Sequence, residues 1–175
     1  MCEFDYFTIV DFLLKTEKIN INSTVTLRED DNKNKSIFFI EKKDQQLPAL
    51  FFAAKNNNQE ILNLLLNQPG IEIKPGIFRY CSKLTKIKIP SFITRISHSA
   101  FFNCSSLVEV TIPSSVTVID DIAFGNCISL LSIIIPSSVS IIGNSVFMSC
   151  TSLKEITIPS SVTKIGENTF QFHHK

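Results

Sequence analysis

The sequence predicts an α+β chain in two parts: a solenoid of 23-residue turns whose strands form a parallel ladder, preceded by a short helical cap. Three observations predict it. One phrase recurs with small changes, as IPSFITRIS from Ile89, IPSSVTVID from Ile112, IPSSVSIIG from Ile135 and IPSSVTKIG from Ile158. Single residue types fall in columns at the same step, the prolines of the phrase being Pro90, Pro113, Pro136 and Pro159. Residues 1–70 lack the phrase and carry apolar residues at helical spacing instead.

The columns justify the solenoid. Cysteine stands at Cys81, Cys104, Cys127 and Cys150, leucine at Leu84, Leu107, Leu130 and Leu153. Phenylalanine holds Phe78, Phe101, Phe124, Phe147 and Phe170, and isoleucine holds Ile73, Ile96, Ile119, Ile142 and Ile165. A fixed period over several copies is the mark of a stacked repeat, in which each unit covers its neighbour's apolar side. The alternation in EVTIP and EITIP is that of a half-buried strand. Proline then ends the strand, having no N–H to give a ladder. The following SSVTxIG turns the corner and returns along the other side.

The spacing LxxIxI is that of a leucine-rich repeat, and 23 lies inside the range of such repeats. The stretch Ile71 to Phe170 resembles the BspA-like leucine-rich repeat family through AFFNCSSLVEVTIPSSVTVI, AFGNCISLLSIIIPSSVSIIG and VFMSCTSLKEITIPSSVTKIG. It departs from general leucine-rich repeats at the asparagine ladder, where Ser115, Ser138 and Ser161 stand and Phe92 breaks the column. The resemblance implies a surface antigen, an adhesin or an interaction protein.

The cap is read from LPALFFAAKNNNQEILNLLLNQPGIEI. Leu50, Ala53 and Ala54 mark one helix; Ile61, Leu62, Leu64, Leu65 and Leu66 mark a second. The asparagines at 56–58 suit the turn between them, since asparagine tolerates the left-handed conformation. The segment resembles an ankyrin repeat, departing from it at Phe51 and Asn57. Residues 8–22 align with 60–74 and read as the second helix of an earlier, degenerate unit. Residues 28–35, REDDNKNK, read as a charged loop. SIFFIEK at 36–42 fits a strand or part of a helix. The expected division is therefore a helical ankyrin-like region over 1–70 and about four repeat turns over 71–175. The last turn is incomplete: Phe170 and Phe172 fold over it, or the end pairs with another molecule, or the chain is a piece of a longer one.

Composition narrows the function. The chain has 175 residues, 44% hydrophobic and 19% charged, with a net charge of +1. That balance gives no reason to expect nucleic acid or an anionic membrane as partner. No apolar run has the length of a spanning helix. The start, MCEFDYFTIVDFLLK, lacks the basic residues and cleavage site of a signal peptide, so the expected location is the cytoplasm, with the cell surface as the alternative. Neither a phosphate-binding glycine loop nor a nucleophile motif is present, and the expectation is a non-enzyme without cofactor or metal. The cysteine column reads as a reduced core ladder in place of disulfides or a metal site. Asp120 and Asp121 read as a solvated turn, and the IPSS serines as groups bonding local backbone at the corner.

Function then rests on the outward positions of LxxIxI. The columns are Lys86, Glu109, Ser132 and Glu155; Lys88, Thr111, Ile134 and Thr157; and Val108, Leu131 and Lys154 beside Thr85. Their variation against a constant inward set is that of a binding face on a fixed scaffold. The expected partner is a protein, with end-to-end self-association through the last turn as a further contact. Lys83, Lys86, Lys88, Arg79 and Arg95 crowd the first turns, which fits an acidic partner or solubility alone.

Overall fold

The structure is a computed structural model, and it describes residues 24–29, 36–41, 49–68, 71 and 73–171, the first two segments as backbone alone. The chain divides into two compact units, one of Met1–Ala53 with Asn58–Ile71 and the other of Ala54–Asn57 with Glu72–Lys175.

In the first region, β1 (Thr24–Glu29) and β2 (Ser36–Glu41) form an antiparallel pair, Thr24 opposite Glu41 and Glu29 opposite Ser36. Of the two readings of SIFFIEK the strand is the one formed, and β1 adds a second strand to a region expected to be mainly helical. TVTLRE and SIFFIE are rich in β-branched and aromatic residues, which suit a pleated strand better than a helix. Arg28 and Glu29 of the expected charged loop belong to β1. Residues 30–35, and the helix expected within 8–22, lie outside the described residues.

Helix α1 spans Ala49–Lys55 and α2 spans Gln59–Leu66. Asn57 between them has φ +55°, and Asn58 caps α2 by accepting from the Ile61 N–H at 3.1 Å. Leu50, Ala53, Ile61, Leu62, Leu65 and Leu66 are buried.

The second unit is built from copies of one turn. On one side, β3 (Lys86–Lys88) pairs in parallel with β5 (Glu109–Thr111), Ile87 opposite Val110. A bridge joins Ile134 to Thr157 further along. On another side, β4 (Arg95–Ile96), β6 (Val118–Ile119), β7 (Ile141–Ile142) and β8 (Lys164–Ile165) make a four-stranded parallel sheet in that order. The return limb read from sequence as a corner is therefore the longer sheet.

The AFxxC segments bond copy to copy as well. Phe78 N–H donates to Ala100 O, Phe101 N–H to Ala123 O, Phe124 N–H to Val146 O and Phe147 N–H to Thr169 O, at 2.8 to 3.0 Å. Two positions per copy hold a left-handed backbone. One column is Gly76, Ser99, Ile122, Ser145 and Asn168; the other is Tyr80, Asn103, Asn126 and Ser149. From Gly76 to Ser145, and throughout the second column, each N–H in these columns donates to the following copy. The unusual conformation is held because it aims a donor along the stack.

The core lies between these sides. The phenylalanine rings stack from Phe78 to Phe170 with centroids 5.1, 5.2, 5.7 and 5.9 Å apart. Cys81, Cys104, Cys127 and Cys150 are free and buried beside them. The thiols of Cys104, Cys127 and Cys150 donate to Phe78 O, Phe101 O and Phe124 O at 3.0 to 3.2 Å. The IPSS hydroxyls are expected to bond local backbone, and the second serine of the pair reaches another copy instead. Ser115, Ser138 and Ser161 donate to Ile93, Val116 and Val139 carbonyls of the preceding copy, at 2.6 to 2.8 Å. Their partner is the copy beneath because stacking brings that carbonyl within reach.

Candidate protein-interaction face

The outward columns are set by strand alternation. In β3 and β5 the central residues Ile87 and Val110 point into the core, so their neighbours point out. Register then aligns the columns: Lys86 lies opposite Glu109, Lys88 opposite Thr111, and Ile134 opposite Thr157. Backbone bonds add the flanking positions, Val108 N–H to Thr85 O at 2.8 Å and Leu131 N–H to Val108 O at 3.4 Å. Lys86, Lys88, Val108, Glu109, Thr111, Leu131, Ser132, Ile134, Lys154, Glu155 and Thr157 are all exposed. Three of them are apolar and well out in solvent: Val108 at 39%, Leu131 at 55% and Ile134 at 83% exposure.

Other groups weighed from sequence have structural work. Arg95 and Asp120 form an ion pair at 2.6 Å. Asp121 Oδ1 accepts the Asn144 N–H at 2.7 Å, and Asn144 Oδ1 accepts the Glu167 N–H at 2.8 Å. The solvated turn expected at these aspartates is thus a pair of bridges between copies. The column His98, Asp121, Asn144 and Glu167 holds the signal that was missed: polar side chains at a fixed step, with the short Asp121 and Asn144 forming the bridges. The thiols are unlike reactive cysteines. Burial pushes Cys81 and Cys150 up to about 12, Cys104 higher still, and Cys127 well above its ordinary value. A thiol kept protonated is a poor nucleophile and a poor metal ligand.

Sequence reasoning also missed the outward column of the four-stranded sheet, Arg95, Val118, Ile141 and Lys164. Its only cue is the place before the isoleucine column, buried at Ile96, Ile119 and Ile142 and exposed at Ile165. A third exposed group is Arg79, whose guanidinium lies 5.0 Å from the Tyr80 ring centroid and 4.9 Å from that of Phe102. Among the described residues no group of three or more His, Cys, Asp or Glu is arranged to hold a metal ion. No helix among them is long and apolar enough to cross a membrane.

Parallel ladders repeating every 23 residues around a phenylalanine and cysteine core define a leucine-rich repeat protein. Residues 71–175 match the BspA type Leucine rich repeat region (6 copies), and the chain belongs to that family. It is similar to the solved leucine-rich repeat protein of T. pallidum, with 34% identity and a TM-score of 0.57 over 60% of this chain and 49% of that one. It is also similar to a solved leucine-rich repeat protein from Bacteroides ovatus, with 41% identity and a TM-score of 0.52 over 55% of this chain and 25% of that one. The match thus spans about half of the first relative and a quarter of the second. A search of curated proteins returns no match. Repeats of this class are generally protein-interaction modules.

Proposed function

We propose that the chain is a non-catalytic protein-interaction module, a solenoid of 23-residue turns that offers the outward columns of its LxxIxI strands to a protein partner. The observation that carries this is the exposure of Val108 and Leu131, joined by a backbone bond, with Ile134 exposed in the neighbouring column. Apolar side chains standing out of a rigid sheet make a surface that gains free energy when a partner covers it. The two short helices and their asparagine turn support the further reading of 49–66 as an ankyrin-like cap. In this proposal the module works in the cytoplasm. The four free, buried thiols support that, because such thiols persist in a reducing compartment.

The test uses the full chain at natural abundance in its source cells, with a cross-linker and affinity capture. A Leu131→Ser, Ile134→Ser variant should lose a protein that the unaltered chain retains. A Lys164→Ser variant, altered on the other sheet, should keep it. Retention by both variants would remove the face from consideration. A membrane-impermeant amine reagent on intact cells checks the location. Labelling of the exposed lysines before lysis would favour a surface adhesin instead.

A further inference from the structure

We infer that the partner of this face contributes an extended protein segment carrying an acidic residue and, three residues away, a branched apolar one. The inference rests on the interaction face proposed above and adds the chemistry that it recognises.

Charge is divided along the repeat unit. Between Ile73 and Val108 stand Lys74, Arg79, Lys83, Lys86, Lys88 and Arg95, with no aspartate or glutamate. All six are exposed. From Glu109 to Gln171 the balance reverses, with Glu109, Asp120, Asp121, Glu155 and Glu167 against Lys154 and Lys164. The near-neutral total hides this division. Part of the basic set is answered within the chain, for Arg95 pairs with Asp120 and Lys86 lies opposite Glu109 in register. Lys88 lies opposite Thr111, which carries no charge. Lys83 precedes the buried Leu84 at the start of the same LxxIxI stretch. The uncompensated positive charge of the face therefore sits at its first copy.

The apolar part sits two copies on. Lys88, Thr111, Ile134 and Thr157 share one column, and Ile134 is the most exposed large apolar residue of the described chain. Strands in a ladder are about 4.8 Å apart, so Lys88 and Ile134 are separated by roughly 10 Å of backbone. An extended segment in the polyproline II conformation advances about 3.1 Å per residue and turns once in three, so side chains three apart face the same way. Laid along the column, it meets Lys88 and Ile134 with side chains three residues apart. A carboxylate answers the ammonium, and a branched apolar side chain covers Ile134 with Leu131 beside it. Charge alone would also admit nucleic acid, but the aromatic platforms on which bases stack are missing from these columns. Tyr80 and Phe92, the exposed aromatics of the unit, fall outside them.

The experiment selects a library of random 12-residue peptides, displayed on phage, against the immobilised full-length chain. Enriched peptides should carry Asp or Glu three residues from Leu, Ile or Val. Their binding should weaken at least about tenfold when Lys83 and Lys88 are both changed to Glu, and fall with added salt. Leu131→Ser with Ile134→Ser should weaken it too. All four residues are exposed, so a thermal melt serves as the folding control. Enriched peptides without an acidic bias, lost only in the Leu131→Ser, Ile134→Ser variant, would overturn the acidic partner and keep the interaction face. Peptides indifferent to both variants, or no enrichment at all, would overturn both. A 20-residue polyuridine strand, measured by fluorescence anisotropy, gives the remaining arm. Binding of that strand, lost on the lysine reversal, would assign the charge to nucleic acid and overturn the inference.

Discussion

Gly143 occupies a close step between two copies. A Cβ there would lie 2.4 Å from Asp121 Oδ1, 2.6 Å from Asp121 N and 2.8 Å from the Asp120 carbonyl carbon. Two of those atoms are backbone, already fixed by the Asp120 N–H bond to Ile96 O and by the Asn144 N–H bond to Asp121 Oδ1. No rotamer change relieves such a clash, so the two copies must part. Gly143→Ala should destabilise the chain by about 2–3 kcal/mol, the range for overpacking a tight interior. Gly125→Ala makes the comparison. Its nearest neighbours would be the side chains of Ile122 at 2.7 Å and Phe102 at 3.2 Å, both able to shift. Its cost should be about 1 kcal/mol. Urea unfolding of the two variants decides the matter, and equal midpoints would mean that the close backbone approach is not rigid.

At the scale of elements, the hydroxyls form two ladders of unequal worth. Ser115, Ser138 and Ser161 are part-buried, and each satisfies a carbonyl of the preceding copy. Thr117, Ser140 and Thr163 do the same at 3.2 to 3.3 Å, but on the exposed side. Water can replace an exposed hydroxyl and cannot easily replace a part-buried one. Ser138→Ala should therefore cost about 1 kcal/mol and Ser140→Ala less than about half of that. A reversed order in urea melts would refute the distinction. What could be read beforehand follows the same line. The inward columns were legible because burial narrows the choice of side chain, so phenylalanine, cysteine, leucine and isoleucine repeat unchanged. The strands β4, β6, β7 and β8 were not, since a two-residue strand shows one inward residue and no alternation. The left-handed columns were hidden for another reason. Gly76, Ser99, Ile122, Ser145 and Asn168 share a backbone but are of four residue types. The outward columns of LxxIxI are all exposed positions; alternation decides those on either side of Ile87 and Val110, and the flanking Thr85, Val108, Leu131 and Lys154 lie just before it begins.

Across the whole repeat unit, the four buried thiols tie stability to alkaline pH. An accessible thiol ionises near 9.0, as these do in the unfolded chain. In the folded chain, burial raises Cys81 and Cys150 to about 12, Cys104 higher still, and Cys127 well above its ordinary value. The folded state then keeps protons that the unfolded state releases, and stability falls as pH rises. The contribution is complete below about pH 9 and is lost progressively from there through about pH 12. Each thiol adds a slope of up to about 1.4 kcal/mol per pH unit in that window. Because copies unfold together when their interfaces are shared, the four slopes add in one transition. The urea midpoint should be flat from pH 7 to 8.5 and drop steeply by pH 10.5. Replacing Cys81 and Cys150 with alanine should lower stability throughout and reduce the alkaline slope by roughly half. In parallel, a disulfide reagent at pH 8 should modify these thiols only as fast as the chain opens, so added urea should accelerate the reaction. A midpoint that ignores pH, or thiols that react at once in the folded chain, would mean that the column is open to solvent and that the stack does not close over its core.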